Sequence, residues 1–220
     1  MLKILLVAAT KQEVLALINY YKIDVNEGEG LFTSISNPNI SLLITGVGMV
    51  NTAFFLGSIS NKVFDCIINI GICGAFSRYL QLGEVVNIVS DKLSEMGAED
   101  GDTFIKYEEL NLGGSADFIS NTNLDSKQLN NLKKVSGITV NKIHGNDNSI
   151  SKIKKTFNPD VESMEGAAFF RACSSFSKNY FQIRSISNYV EKRDKTKWNI
   201  PLAITNLNEY IINLITELNA

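Results

Sequence analysis

Short apolar runs alternate along this chain with segments of helical periodicity. The runs are nearly continuous rather than alternating with polar residues, which is typical of strands covered on both faces. They lie at Ile4–Ala8, Ser41–Thr45, Cys66–Gly71, Val85–Val89, Ile138–Ile143 and Phe181–Ile186. Because helical patterns separate many of these runs, their order predicts an α/β domain with a mixed or mostly parallel sheet.

Helical spacing marks four segments. The first holds apolar residues at positions i, i+3, i+4 and i+7, starting at Val14. The others are residues 50–63, the stripe Ala168–Phe176, and a final helix in which Pro201 fits the first turn. The polar, glycine-bearing stretch Gly97–Asn123 is predicted to be a mobile loop of the kind that often covers a site. No repeat or linker divides the chain, so residues 1–220 are predicted to form a single domain.

Charge and hydropathy narrow the classes of partner. The 220 residues carry 21 Lys and Arg against 23 Asp and Glu, a formal net charge of −2. A binder of duplex nucleic acid needs clustered basic residues, so we expect a small molecule and no nucleic acid as the partner. The apolar run near the N-terminus is too short for a signal segment, and no run approaches the length of a membrane span. We therefore expect a cytoplasmic protein that does not associate with membranes.

The few cysteines and histidines limit the chemistry. Cys66, Cys73 and Cys173 are odd in number and have no repeated short spacing, so they predict no disulfide framework. No CxxC or HxxxH spacing predicts a zinc site. A Ser-His-Asp triad would depend on His144, which is the single histidine. We expect neither a metal nor a cofactor.

Two glycine turns are candidates for a ligand crevice. Gly46-Val47-Gly48 follows a predicted strand and opens a helix, but Asn51 stands where a dinucleotide fingerprint has its third glycine. A tight turn that serves packing and a turn that cradles a ribose or an anion both remain open. Gly71-Ile72-Cys73-Gly74 is predicted to be a second such turn at a strand end. Open α/β sheets bind ligands at such ends.

Polar side chains stand next to several predicted strands. Thr10 to Glu13 fits a capping box, yet Glu13 could also face the crevice as a general base. Glu165 lies between a strand and an apolar helix, where a buried carboxylate needs partners such as sugar hydroxyls, a cap or an ion pair. Glu162 could be the important residue instead. Asn188 can donate and accept at the end of its strand, or can simply close a turn.

An ordered set of short segments is similar to the nucleoside phosphorylase/nucleosidase family over nearly the whole chain. The segments are Val7–Ala9 with Glu13, Thr45–Gly48, Asn69–Gly74, Gly83–Val86, Val161–Ala168 and Arg184–Asn188. Within that family, the futalosine hydrolases resemble this chain more than the methylthioadenosine/S-adenosylhomocysteine nucleosidases do. They resemble this chain at Gly97–Asp102, His144–Asn146, Glu162–Ala168 and Ile186–Glu191, with Trp198 downstream.

The resemblance implies a fold, a reaction and site residues. The fold would be a three-layer α/β sandwich around a mixed, partly closed central sheet with helices on both sides. The reaction would be N-glycosidic cleavage, in which water attacks C1′ of a nucleoside and a purine leaves, and the protein would be a homo-oligomer. On the matching positions, Glu13 would be the base for water, Met164 would line the ribose face, Glu165 would bind the ribose hydroxyls, and Asn188 would hold the leaving purine. The turns at Gly46 and Gly71 would border the substrate.

One departure from the family pattern bears on the substrate. Adenine-releasing nucleosidases have Asp at the position of Asn188, whereas an amide can donate to a 6-oxo group. The resemblance therefore favours hypoxanthine release from futalosine, in menaquinone biosynthesis. Related phosphorylases clamp phosphate with Arg, but no basic residue lies between Leu42 and Ser60. The alternatives are a purine nucleoside phosphorylase, an aminofutalosine or methylthioadenosine nucleosidase, and a nucleoside-binding protein without catalysis.

Overall fold

Strands and helices alternate along the chain in a computed structural model that describes residues 1–25 and 28–220. The strands in these residues are β1 (Ile4–Ala8), β2 (Gly30–Thr33), β3 (Ile40–Ile44), β4 (Cys66–Ala75), β5 (Val85–Leu93), β6 (Gly97–Asp100), β7 (Thr103–Lys106), β8 (Asp117–Ile119), β9 (Lys133–Thr139), β10 (Val161–Ser163) and β11 (Tyr180–Tyr189). The α-helices are α1 (Leu15–Tyr20), α2 (Met49–Ser58), α3 (Lys127–Asn131), α4 (Asp147–Phe157), α5 (Gly166–Cys173) and α6 (Ile200–Leu218).

The main sheet is mixed and closes on itself at one side. Its strand order is β10-β9-β5-β11-β4-β1-β3-β2, with β8 added along β5. Strand β4 is parallel to β1 and β11, whereas β5 is antiparallel to β11. Strand β10 pairs with β9 and also with β4, where Val161 faces Ala75. Five strands therefore form a closed ring, and the prediction of a mixed, partly closed sheet is confirmed.

Two helical layers cover the sheet, as the side chains of β1 show. Ile4, Leu6 and Ala8 pack in one cluster with residues of α1 and α6. Leu5 and Val7 point to the opposite face and pack in a second cluster with residues of α2 and α5. All five side chains are fully buried. The continuous apolar run therefore reflects burial on both faces, and the three-layer sandwich is confirmed.

The chain ends closely match their predictions. Strand β1 has the predicted bounds, and the final helix begins at Ile200 with Pro201 in its first turn. Within the described residues, no helix combines the length and apolarity needed to cross a membrane. Cys66, Cys73 and Cys173 are free and buried.

The predicted strand Ile138–Ile143 is wrong in its position, because β9 covers Lys133–Thr139 instead. Strand β9 pairs in parallel with β5, and the last pair joins Thr139 to Leu93, where β5 ends. Beyond Thr139 the chain has no remaining partner on β5. The strand begins at two exposed lysines, so its first residues carry no apolar signal.

The stretch Gly97–Asn123 is not the single loop that its composition predicts. Strands β6 and β7 pair as an antiparallel hairpin, and Gly101 turns between them with φ +59°. Strand β8 then pairs with β5. No residue of the two hairpin strands is buried, so no apolar alternation marks them in the sequence.

The predicted turn at residues 71–74 is also wrong, since these residues lie inside β4. Strand β4 remains paired with β11 as far as Ala75, so the chain does not turn there. The glycine at position 71 serves close packing. A Cβ there would lie 2.7 Å from Nη1 of Arg184 and 2.9 Å from Oε1 of Glu13.

Candidate active site

A cavity of about 390 Å³ lies where β1, β4 and β11 end and where β10 passes into α5. This is the crevice expected at the carboxyl ends of parallel strands. Four of the predicted site residues line it: Glu13, Met164, Glu165 and Asn188.

Glu13 combines its two predicted positions. One carboxylate oxygen accepts from the backbone N–H and the hydroxyl of Thr10, at 3.1 and 2.9 Å, and the Glu13 N–H reaches back to that hydroxyl. The other oxygen accepts from the N–H of Ile72 at 3.2 Å. The side chain is only 8% exposed. Burial raises the pKa of Glu13 above its usual value, although the charge of Arg184 opposes the shift. Glu13 therefore makes the reciprocal hydrogen bonds of a capping box with Thr10 and is also a cavity carboxylate.

Glu165 lies between β10 and α5 and is held from two sides. Its Oε1 accepts from the backbone N–H of Gly48 at 3.0 Å, and its Oε2 accepts from Nη2 of Arg184 at 3.2 Å. Gly48 has a φ of +102°, a conformation that favours glycine. The first glycine turn therefore supplies a hydrogen bond that orients Glu165. This carboxylate is in a buried ion pair and also lines the cavity.

Glu162 has a different partner on the same cavity. Its side chain accepts from the backbone N–H of His144 at 3.0 Å and contacts Nδ1 of that histidine at 2.6 Å. Glu162 and Glu165 are both 4% exposed. Burial therefore does not distinguish the two glutamates. Their partners differ, because Glu162 contacts His144 and Glu165 contacts Arg184.

Arg184 is the central residue that the sequence reasoning missed. It is 2% exposed and donates Nε to Gln182 at 2.9 Å, Nη1 to the carbonyl of Ile72 at 3.1 Å and Nη2 to Asn69 at 2.8 Å. Nη2 also donates to Glu165. The available signal was an arginine inside an apolar strand, because a charge there must be paired. The structure places this cation between the sheet and the cavity.

A buried aspartate extends the hydrogen-bond network of Arg184. Asp91 accepts from Gln182 Nε2 at 3.1 Å and from the hydroxyl of Thr139 at 2.8 Å. Burial raises the pKa of Asp91 to about 6, against the effect of these hydrogen bonds. Gln182 therefore bridges Asp91 and Arg184. Its amide nitrogen donates to the carboxylate of Asp91, and its carbonyl oxygen accepts from the guanidinium of Arg184.

Asn188 lies just beyond an irregularity in β11. The register against β4 shifts between Ile186 and Asn188, so Ser187 is the extra residue of a bulge. The hydroxyl of Ser187 donates to Oδ1 of Asn188 at 2.8 Å, and Nδ2 donates to the carbonyl of Tyr189 at 3.1 Å. These contacts orient the amide and leave one N–H of Nδ2 without a partner in the described residues. The side chain is part of the cavity wall rather than the closure of a turn.

Comparison with known proteins gives this arrangement a family. The model of the phosphorylase superfamily matches residues 3–216. The chain belongs to this superfamily. A futalosine hydrolase of Thermus thermophilus is 27% identical over 183 residues, which is 80% of each chain. A 5′-methylthioadenosine/S-adenosylhomocysteine nucleosidase of Maridesulfovibrio salexigens is 28% identical over 239 residues, covering 99% of this chain and 100% of the relative.

A solved structure of a superfamily relative agrees with the fold. The futalosine hydrolase of Helicobacter pylori superposes with a TM-score of 0.84 at 13% identity and covers 98% of each chain. This likeness bears on the fold, since the identity is low. The family model and the sequence relatives confirm the resemblance to the nucleoside phosphorylase/nucleosidase family.

The two glycines predicted to border the substrate lie in different places in this superfamily member. Gly71 lies directly beside Glu13 and Arg184, behind the cavity wall. Gly46 lines an adjoining cavity, and a Cβ there would lie 3.0 Å from Oε1 of Glu29. Both roles stay predictions. In the described part of the chain, no three His, Cys, Asp or Glu side chains are grouped to hold a metal ion.

The segment between β11 and α6 forms a more exposed end of the main cavity, which we call the mouth. The mouth comprises Glu191, Arg193 and Trp198. Glu191 pairs with Arg78 at 2.6 Å and with Lys197 at 3.5 Å. Arg193 lies over the ring of Trp198, with its guanidinium carbon 5.5 Å from the ring centroid.

Proposed function

We propose that this superfamily member is a futalosine hydrolase, which cleaves the N-glycosidic bond of futalosine with water and releases hypoxanthine. The observation that carries the proposal is that Glu13, Glu165 and Asn188 line one cavity. The futalosine hydrolases among the relatives support the substrate. We further propose that the enzyme acts in menaquinone biosynthesis in the cytoplasm, as a homo-oligomer of a single-domain chain.

The two carboxylates, Glu165 and Glu13, suit the two needs of such a reaction, which are stabilisation of a positive sugar and removal of a proton from water. Departure of a purine leaves positive charge on the sugar, and a carboxylate in a dry site can stabilise that charge. Each Glu165 oxygen accepts one protein hydrogen bond and keeps a lone pair for a ribose hydroxyl. Glu13 would orient water at C1′ and take its proton, while the leaving purine takes up a proton from another water molecule, so that the products are a free sugar and neutral hypoxanthine. Its raised pKa makes it a stronger base than an ordinary glutamate.

Asn188 supports a 6-oxopurine as the leaving group. Its amide oxygen already accepts from Ser187, and its amide nitrogen has one N–H left to donate. The 6-oxo group of hypoxanthine can accept that N–H. The 6-amino group of adenine is a donor, so it would need an acceptor at this place.

The buried cation Arg184 is poorly placed to bind phosphate, which favours water as the nucleophile. Arg184 uses four donor positions on Gln182, Ile72, Asn69 and Glu165. A guanidinium has five N–H groups, so roughly one remains, which is too few for a bidentate grip on phosphate.

A substrate comparison tests this function. Purified protein is incubated with futalosine, aminofutalosine, methylthioadenosine and inosine, with and without phosphate, and the base and sugar products are separated by chromatography. We expect hypoxanthine and a free sugar from futalosine, at a rate independent of phosphate. A requirement for phosphate with a sugar 1-phosphate as product would contradict hydrolysis. Preferred release of adenine would instead favour the nucleosidase activity named for the Maridesulfovibrio relative.

A further inference from the structure

The charged side chains of the cavity have protein partners, with one exception at the mouth. Among the described residues, Glu162 pairs with His144, Glu165 with Arg184, and Glu191 with Arg78 and Lys197. Glu13 accepts hydrogen bonds from Thr10 and Ile72. The side chain of Arg193 makes no ion pair or hydrogen bond with any of the described residues. Within the part of the chain that the structure describes, Arg193 is therefore the one cavity cation that has neither an ion pair nor a hydrogen bond.

The surroundings of Arg193 combine this charge with an apolar wall. Its guanidinium lies over the indole of Trp198, and Ile143, Ile200 and Ile204 line the same cavity. A flat aromatic ring can pack on the indole and the aliphatic side chains. A carboxylate on that ring can meet the fork of the guanidinium, which matches carboxylates in shape and charge.

We propose that Arg193 and Trp198 form the subsite for a carboxylated aromatic group at the end of the substrate remote from the purine. The inference rests on the proposed function, because futalosine carries a benzoate group at that end. Arg193 pairs with the carboxylate, and Trp198 contacts the ring. The subsite selects among nucleosides that share the same ribose and base.

The neighbouring charges support this assignment. Glu191 also lies at the mouth, where a free carboxylate would compete for Arg193 and repel an anionic ligand. Arg78 and Lys197 pair with Glu191 and neutralise its charge. Arg193 is exposed in the free protein, so it stays unpaired without the cost of a buried charge.

Paired substrates provide the first test. Futalosine and inosine share hypoxanthine and ribose, but inosine lacks the benzoate. For Arg193→Met we expect the ratio of kcat/KM for futalosine over inosine to fall by roughly 5- to 10-fold, mainly through KM, since a partly exposed charged contact is worth about 1 kcal/mol. Arg193→Lys should restore part of the ratio. Lys192→Met removes a neighbouring exposed charge outside the cavity lining and should keep the parent ratio. An unchanged ratio in Arg193→Met would overturn the proposal.

An inhibitor test separates this subsite from the proposed reaction. 3-Acetylbenzoate carries the ring and carboxylate without a nucleoside, and 3-acetylbenzamide is its neutral control. Inhibition is measured against whichever nucleoside the parent cleaves. We expect the benzoate to inhibit more strongly than the amide, and Arg193→Met to remove that difference. If the parent does not cleave futalosine but the difference depends on Arg193, the proposed function fails and the subsite stands. If futalosine is cleaved and Arg193→Met retains the difference, the subsite fails and the function stands.

Discussion

Charged side chains are buried and paired at the inner end of the cavity, but one of them is exposed and has no ion pair in the described residues at its mouth. At the inner end, Glu13, Glu165 and Arg184 are each less than one-tenth exposed, and the protein itself supplies their partners. At the mouth, Arg193 is exposed, and among the described residues it contacts the ring of Trp198 but has no ion pair or hydrogen bond. A buried charge without a partner is costly, so the inner geometry must be complete before a ligand arrives. A solvated cation carries no such cost and can be kept for a ligand. We propose that the inner end carries out the chemistry and that the mouth recognises the aromatic carboxylate of the substrate.

The largest effect should come from the inner end. Glu13→Gln keeps the shape of the side chain but removes its basicity, so we expect a loss of roughly 10²–10⁴-fold, mostly in kcat. Steady-state kinetics with futalosine measures it, and thermal unfolding checks that the fold is kept. Glu209→Gln, at an exposed position of α6, is the control. A near-normal kcat would reduce Glu13 to its capping role.

Asp91, which Gln182 joins to Arg184, should make the stability of the protein depend on pH. Folding raises the pKa of Asp91 from 3.8 to about 6, so the folded state holds its proton more tightly. Its favourable contribution is therefore complete below about pH 4 and is lost as the pH rises through 6. Asp91→Asn removes this titration.

We expect the free energy of unfolding of the parent, relative to Asp91→Asn, to fall by about 3 kcal/mol between pH 3.5 and pH 7.5. Urea unfolding at several pH values measures the difference. Asp24→Asn, at an exposed position, controls for general charge effects. Parallel curves for parent and Asp91→Asn would show that Asp91 titrates normally.

Substitution of Asn188 tests whether this side chain recognises the 6-position of the purine. Asn188→Asp should shift preference from 6-oxo toward 6-amino purines. In the parent, the amide N–H of Asn188 would face the 6-amino group, so two donors would meet. The carboxylate of the variant can accept a hydrogen bond from that amino group. An unpaired buried donor costs about 1–3 kcal/mol, or roughly 5- to 150-fold in relative kcat/KM. The measurement is the ratio of kcat/KM for futalosine over aminofutalosine in both proteins. If both substrates change in parallel, Asn188 does not read the 6-position.

The smallest effect belongs to the mouth. Arg78→Met removes the ion pair with Glu191 and a contact over the ring of Tyr189. Arg78 is largely exposed, and such pairs contribute less than about 1 kcal/mol. Urea unfolding should show a decrease within that limit. A loss several times larger would mean that the mouth is as rigidly built as the inner end.

Local patterns predicted the parts of the molecule that depend on neighbouring residues. The apolar run of β1 indicated burial on both faces, and the spacing of Thr10 and Glu13 indicated their reciprocal hydrogen bonds. The chemistry between distant segments was not visible in this way. Arg184 meets Asn69 across two strands, 115 positions apart. No periodicity records such a pair, because it depends on which strands become neighbours.

Short and irregular elements were hidden for a related reason. Strand β10 has three residues, too few for a periodic signal, yet it carries Glu162 and leads into Glu165. The bulge at Ser187 follows from the register of β11 on β4, which forms only when the sheet assembles. The resemblance supplied roles for Glu165 and Asn188, and the structure supplied their partners.

The hydrogen bonds from Gly48 and Ile72 give the two glutamates a spectroscopic reporter each. The Gly48 amide proton is bonded to Glu165, and the Ile72 amide proton is bonded to Glu13. The chemical shift of an amide proton follows the charge and bond length of its acceptor. In a ¹H–¹⁵N spectrum, Ile72 therefore follows the protonation of Glu13, and Gly48 follows any ligand hydroxyl that shares Glu165. The backbone thus reports the two carboxylates separately, without a label in the cavity.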